Sequence, residues 1–130
     1  MRSSFTLIEI MIVVVILGLL ATVSVQQLMG RLDEAKIGTT KATLEETAQS
    51  IMHYKLSKGN YPSTEDGLES LKEGATPFLS KTPKDAWANP INYMYPGTKG
   101  PFDLWSFGQD GVDGGDGMDK DIYYNDEEEE

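Results

Sequence analysis

Two groups of residues in this chain could do chemistry, and both are carboxylates. Glu9 is the one charge within residues 5–25, FTLIEIMIVVVILGLLATVSV. A carboxylate inside an apolar helix costs on the order of 2–3 kcal/mol, less near the interface, and normally marks a partner or a function. No Lys or Arg lies one helical turn away on either side. If a short leader carrying Arg2 is removed, the nearest positive group is the new α-amine at Phe5 on another copy. The plain alternative is a Glu that snorkels to the headgroups.

The second group is the stretch 110–122, which holds five aspartates and four glycines in thirteen residues. Calcium takes six to eight oxygens at about 2.3–2.6 Å from carboxylates and carbonyls in adaptable geometry. Glycines let a chain turn tightly enough to aim several carbonyls inward. Five unpaired carboxylates repel one another, so a divalent cation would relieve the repulsion and order the loop in one step. The spacing is not that of an EF-hand, since no Glu closes it at the twelfth place. Residues 114–119 match the opening of a β-roll calcium repeat, but that fold needs tandem copies and this chain has one. The plain alternative is a solvated acidic loop.

Catalytic chemistry finds little else. His53 is the only histidine and falls on a long helical stretch, with no nucleophile and base spaced to act together. A glycosidase-like carboxylate pair could be drawn from the acidic loop, but cation ligation explains those residues better. A membrane-anchored enzyme or calcium-binding module therefore stands as the second functional class.

The elements that must position these groups follow from the apolar pattern. Residues 5–25 would span roughly 31 Å as a helix, enough for a hydrocarbon core of about 30 Å. The basic residue before them keeps the N-terminus cytoplasmic and exports the rest. A cleaved secretory signal is the alternative, but its apolar core runs about 7–15 residues and this stretch is longer. No proline interrupts residues 26–58, where Leu28, Leu32, Ala35, Leu44, Ala48, Ile51 and Met52 recur at helical spacing. Lys41, Glu45, Glu46 and Gln49 occupy other faces, so this reads as an amphipathic continuation. Gly59 and Pro62 end it. Ser63 can cap a short helix over residues 64–73. After a loop over 74–90, residues 91–95 and 102–107 read as a hairpin, with 122–124 as a third strand. Trp87, Tyr93 and Trp105 are expected in the core.

Charge sets the partner class. Residues 1–61 carry six basic and five acidic groups, whereas residues 62–130 carry five basic and sixteen acidic ones. Nucleic acid is excluded, because its phosphates need Lys and Arg to displace their counterions. There is no cysteine, so a small exported module must find its staple in a metal ion or in neighbouring subunits.

Residues 4–9, SFTLIE, followed by the unbroken apolar run, resemble the class III signal of type IV pilins and pseudopilins. Residues 61–71 (YPSTEDGLESL), 83–90 (PKDAWANP) and 102–111 (FDLWSFGQDG) extend the likeness to the major pseudopilins of type II secretion, the general secretion pathway protein G family. The resemblance implies an α+β, pilin-like fold: a long N-terminal helix, first transmembrane and then amphipathic, on a small antiparallel sheet with a C-terminal metal-binding loop. It implies a leader over 1–4, a transmembrane and assembly helix over 5–25, a periplasmic domain over 26–125 and an acidic tail over 126–130. A prepilin peptidase would cut between Ser4 and Phe5 and methylate the new amine, and Glu9 would neutralise a neighbour's N-terminus during assembly. Two departures stand out: the family has Gly where this chain has Ser4, and many members have Pro where it has Gln26.

The family also carries one calcium. By position its carboxylate ligands correspond to Asp110 and Asp121, with Asp119 as the third and Asp116 and Asp113 behind them. Carbonyl ligands would come from Leu104, Ser106 or Val112. The implied function is that of a non-enzymatic subunit of a homo-oligomeric helical filament anchored in the bacterial inner membrane. That periplasmic pseudopilus works with minor pseudopilins and an inner-membrane platform to push folded proteins through the outer-membrane secretin. A minor pilin of a type IV pilus is the alternative within the same class.

Overall fold

A computed structural model describes residues 3–126 of the chain. The start of the expected leader and the end of the acidic tail lie outside the described residues. Helix α1 runs Leu7–Lys58, and Gln26 lies within it without a break. This agrees with the absence of proline, which would remove an i→i−4 bond and kink the helix. Gly59 ends α1 in a left-handed conformation (φ 88°), and its N–H donates to the Lys55 carbonyl at 2.7 Å. Lys55 and Lys58 in the last turn meet the negative end of the helix dipole.

The chain divides into two units, one through residue 34 and one from residue 35 onward. In the first, the apolar run of α1 is exposed along its length and is long and apolar enough to cross a membrane. In the second, α1 buries a stripe of Thr40, Leu44, Thr47, Ala48 and Ile51. That stripe differs from the expected one. Met52 is exposed because, at about 100° per residue, it points some 120° from Thr40, whereas Ile51 points only about 20° away. Two threonines take the places that an apolar count passed over, and the Thr47 hydroxyl satisfies itself on the Thr43 carbonyl at 2.7 Å. Leu28 and Leu32 are exposed.

Against the stripe pack Leu68 and Leu71 from a 3₁₀ turn, Gly67–Lys72, and Ile91, Tyr93, Phe102 and Leu104 from the sheet region. The expected helix over 64–73 is this shorter turn, since Gly67 sits at φ 59° and cannot open an α-helix. Ser63 nevertheless acts as expected: its Oγ accepts the Asp66 N–H at 3.0 Å. The sheet comprises β1 (Asn92–Met94), β2 (Asp103–Ser106) and β3 (Ile122–Tyr123), antiparallel in the order β1-β2-β3. Tyr93 pairs with Leu104 and Ser106 with Ile122, so the hairpin and the third strand fall where the sequence places them.

Alternation along β2 sends Leu104 and Ser106 to the core and Trp105 to the other face. There Trp105 stacks on Tyr123, and Lys99 lies 4.0 Å above the Tyr123 ring. Tyr93 is in the core as expected, its hydroxyl donating to the Pro62 carbonyl at 2.7 Å. Trp87 and Trp105 are only half-buried. Their indole nitrogens are shielded and unpartnered among the described residues.

Candidate functional site

Glu9 lies in the first turn of α1, where Leu7, Ile8 and Ile10 around it are exposed. Its carboxylate is not idle. Oε2 accepts the backbone N–H of Thr6 at 2.9 Å, while the Glu9 N–H donates to Thr6 Oγ1 at 3.2 Å. This reciprocal pair is a capping box: Ser or Thr, two residues, then Glu. It satisfies two of the backbone donors a helix start leaves open and puts negative charge at the positive end of the dipole. Thr6 was not singled out among the sequence candidates, although its three-residue spacing from Glu9 is the signal that finds it. A carboxylate offers about four acceptor positions, and the N–H of Thr6 fills one. Capacity remains for a cation. Ser4 and Phe5 precede the helix, and Phe5 is 82% exposed.

The acidic loop leaves β2 and returns to β3. Asp110 turns back on its own backbone, with Oδ1 accepting the Val112 N–H at 3.1 Å. The Gly114 N–H donates to both carboxylate oxygens of Asp121, at 3.1 and 3.2 Å. Burial holds Asp121 above the usual carboxylate range; the Gly114 N–H opposes this, and the carboxylates of Asp113 and Asp110 reinforce it. Asp113 and Asp110 are the acids whose charge acts on Asp121. Asp119 serves the loop's shape. Its N–H bonds the Asp116 carbonyl at 3.1 Å, and its own carbonyl packs where a Cβ on Gly115 would lie only 2.8 Å away. Of the expected carbonyl ligands, Leu104 already accepts the Tyr124 N–H at 2.8 Å. Among the described residues, no three acidic or histidine side chains converge as a ready cation site. The loop thus carries Asp121 under the influence of two further carboxylates, Asp113 and Asp110.

His53 is exposed on α1. A recess of about 930 Å³ is lined by Lys41, Glu45, Lys99, Lys120, Asp121 and Asp126 among others, charges of both signs that offer no nucleophile with its base.

Known proteins give the same reading. The family described as Type II secretion system (T2SS), protein G matches residues 27–125, and the prokaryotic N-terminal methylation motif matches residues 1–25. The chain is 48% identical over 132 residues to the type II secretion system core protein G of Pseudomonas aeruginosa, covering 93% of each. It is 38% identical to that of Vibrio cholerae, covering 93% of this chain and 90% of the other. Among solved structures, the major pseudopilin from the type 2 secretion system of enterohaemorrhagic Escherichia coli superposes with a TM-score of 0.62. The two are 27% identical, over 74% of this chain and 91% of that one. The chain belongs to the type II secretion system protein G family: it is a structural, non-catalytic pseudopilin anchored in the inner membrane by its N-terminal apolar helix.

Proposed function

We propose that this pseudopilin polymerises through Glu9. Cleavage between Ser4 and Phe5 creates a methylated amine at Phe5, and the Glu9 carboxylate of one copy receives the amine of the next. The observation that carries this reading is the environment of Glu9. It is a charge among exposed apolar side chains, and its bond to the Thr6 N–H leaves acceptor capacity open. An ion pair drawn from water is weak, but in an apolar setting a carboxylate left without a counter-charge is strongly unfavourable. Each copy exposes the same helix, so a contact that repeats without closing builds a helical polymer. Minor pseudopilins, the inner-membrane platform, the prepilin peptidase and the secretin are its partners. Nucleic acid is not. The deciding experiment is Glu9→Val: the subunit inserts in the membrane as before and no filament forms, whereas normal filaments from this variant would refute the role of Glu9.

The acidic loop takes calcium in this reading. Asp121 and Asp113 hold it, Asp110 adds a third carboxylate, and the carbonyls of Ser106, Val112 or Leu104 fill further places, with Asp119 and Asp116 farther down the order. Bound calcium supplies positive charge that cancels the repulsion among these acids. What supports the reading is the density of acid in the loop, five aspartates within residues 110–121, and the upward push of Asp113 and Asp110 on Asp121.

A further inference from the structure

We propose that Asp85 is the positioning residue that registers the root of the acidic loop against α1. Asp85 is buried, and three donors converge on its carboxylate. Oδ1 accepts the backbone N–H groups of Trp87 at 3.0 Å and Asn89 at 2.9 Å. Oδ2 accepts the hydroxyl of Ser106 at 2.6 Å, across a sequence separation of 21. The first two bonds close residues 83–90 into a strap. The strap is tight: the Asp85 N–H bonds the Asn89 carbonyl at 2.9 Å, and Ala88 is forced to φ 64°, a conformation a non-glycine residue rarely takes.

The strap is tied at both ends. On one side the Ala86 N–H donates to the hydroxyl of Thr40, a fully buried residue on α1, at 3.1 Å. On the other, Ser106 Oγ passes the link onward by accepting the Gly108 N–H at 3.1 Å, and the Asn89 side-chain amide donates to the Gly108 carbonyl at 3.1 Å. Gly108 is where the acidic loop closes on itself. It sits at φ 76°, and a Cβ there would come within 2.7 Å of the Met118 carbonyl and 2.8 Å of that of Lys120. The next N–H, of Gln109, bonds the Met118 carbonyl at 2.9 Å. A chain of hydrogen bonds thus runs from Thr40 through the strap and Ser106 to the residues that bring Asp110 and Asp121 to one loop.

Two features separate this from ordinary packing. A buried carboxylate is a costly way to close a strap whose two backbone donors a neutral amide oxygen would satisfy equally well. The acid serves the third donor, Ser106, whose hydroxyl in turn accepts the N–H of Gly108 at the root of the loop. Hydrogen bonds to charged acceptors are also about twice as strong as neutral ones, which suits a point where a loop is tied to a helix.

The test uses the full-length subunit in detergent micelles, followed by hydrogen exchange of peptides over 108–121 and over 42–54, with and without calcium. Asp85→Asn keeps size and the Oδ1 acceptor; Ser106→Ala keeps the strap and cuts only the onward link. In both variants, calcium-free exchange over 108–121 should quicken about tenfold, the loss expected for one charge-assisted bond, while exchange over 42–54 stays within about twofold. The double variant should quicken no more than either single one. Calcium affinity, measured by titration, should fall about tenfold in parallel. Unchanged loop exchange would overturn the proposal. So would quickening of equal size in both peptides, which would make Asp85 a general support of the fold. The affinity readout rests on the calcium reading and the exchange readout does not. If the wild-type chain takes no calcium, that reading fails, while the exchange result still decides Asp85.

Discussion

Thr6 and Glu9 cap one another at the start of α1, the Thr6 N–H on Glu9 Oε2 at 2.9 Å and the Glu9 N–H on Thr6 Oγ1 at 3.2 Å. The carboxylate proposed for assembly is therefore held in place by its own helix. Losing a capping hydroxyl costs about 1 kcal/mol. Thr6→Val should fray the first turn, with faster amide exchange at Glu9 and Ile10 by about fivefold and a lower filament yield. Wild-type exchange and yield would show that the cap does not matter.

Processing is read by mass. The mature chain should weigh as residues from Phe5 onward with one methyl group on the amine. An intact Met1, or a cut near Val25, would contradict the assigned leader. Ser4→Gly restores the residue the family carries at this place, and it should raise the mature fraction in a pulse-chase.

Chelation should lower the melting temperature of the full-length subunit by several degrees, as each 1 kcal/mol shifts a domain of this size by about 4–8 °C. Calcium should restore it and magnesium should do so poorly, because the loop does not offer rigid octahedral geometry. The variants rank the ligands. Asp121→Ala should abolish the calcium response, and Asp113→Ala should weaken it more than Asp119→Ala. The reverse order of the last two would place Asp119 ahead of Asp113.

Asp103 makes stability depend on acid. Burial alone would raise its pKa, but the Thr98 hydroxyl at 2.6 Å, the Thr98 N–H at 2.8 Å and the Lys99 N–H at 3.1 Å together hold it below the usual carboxylate range. A lowered folded-state pKa contributes stability that is complete above the unfolded value, about 3.9, and is lost as pH falls through the folded one. Asp103→Asn should lower the melting temperature at pH 7 and flatten its decline below about pH 4. An unaltered acid limb would exclude Asp103 as its source.

Much of this was legible in the sequence because it depends on local pattern. Gly59 stops α1 where the periodicity ends, Ser63 caps the turn after it, and the three strands lie within their expected ranges. The carboxylate at Glu9 stood out by type alone. What escaped depends on contacts distant in sequence or on angle around a helix. Thr40 and Thr47 are polar letters with core addresses. Asp85 looked like one more loop acid until Ser106, 21 residues on, came to meet it.

The bare apolar length of α1 bears on how such a fibre can grow and shrink. Side chains from Leu7 to Leu20 have no cover within their own chain. Leaving a bilayer for a bundle of sister helices exchanges one oily surrounding for another, so water expulsion adds little to that step. The balance between stored and assembled subunits then falls to snug side-chain fit and to a few polar groups.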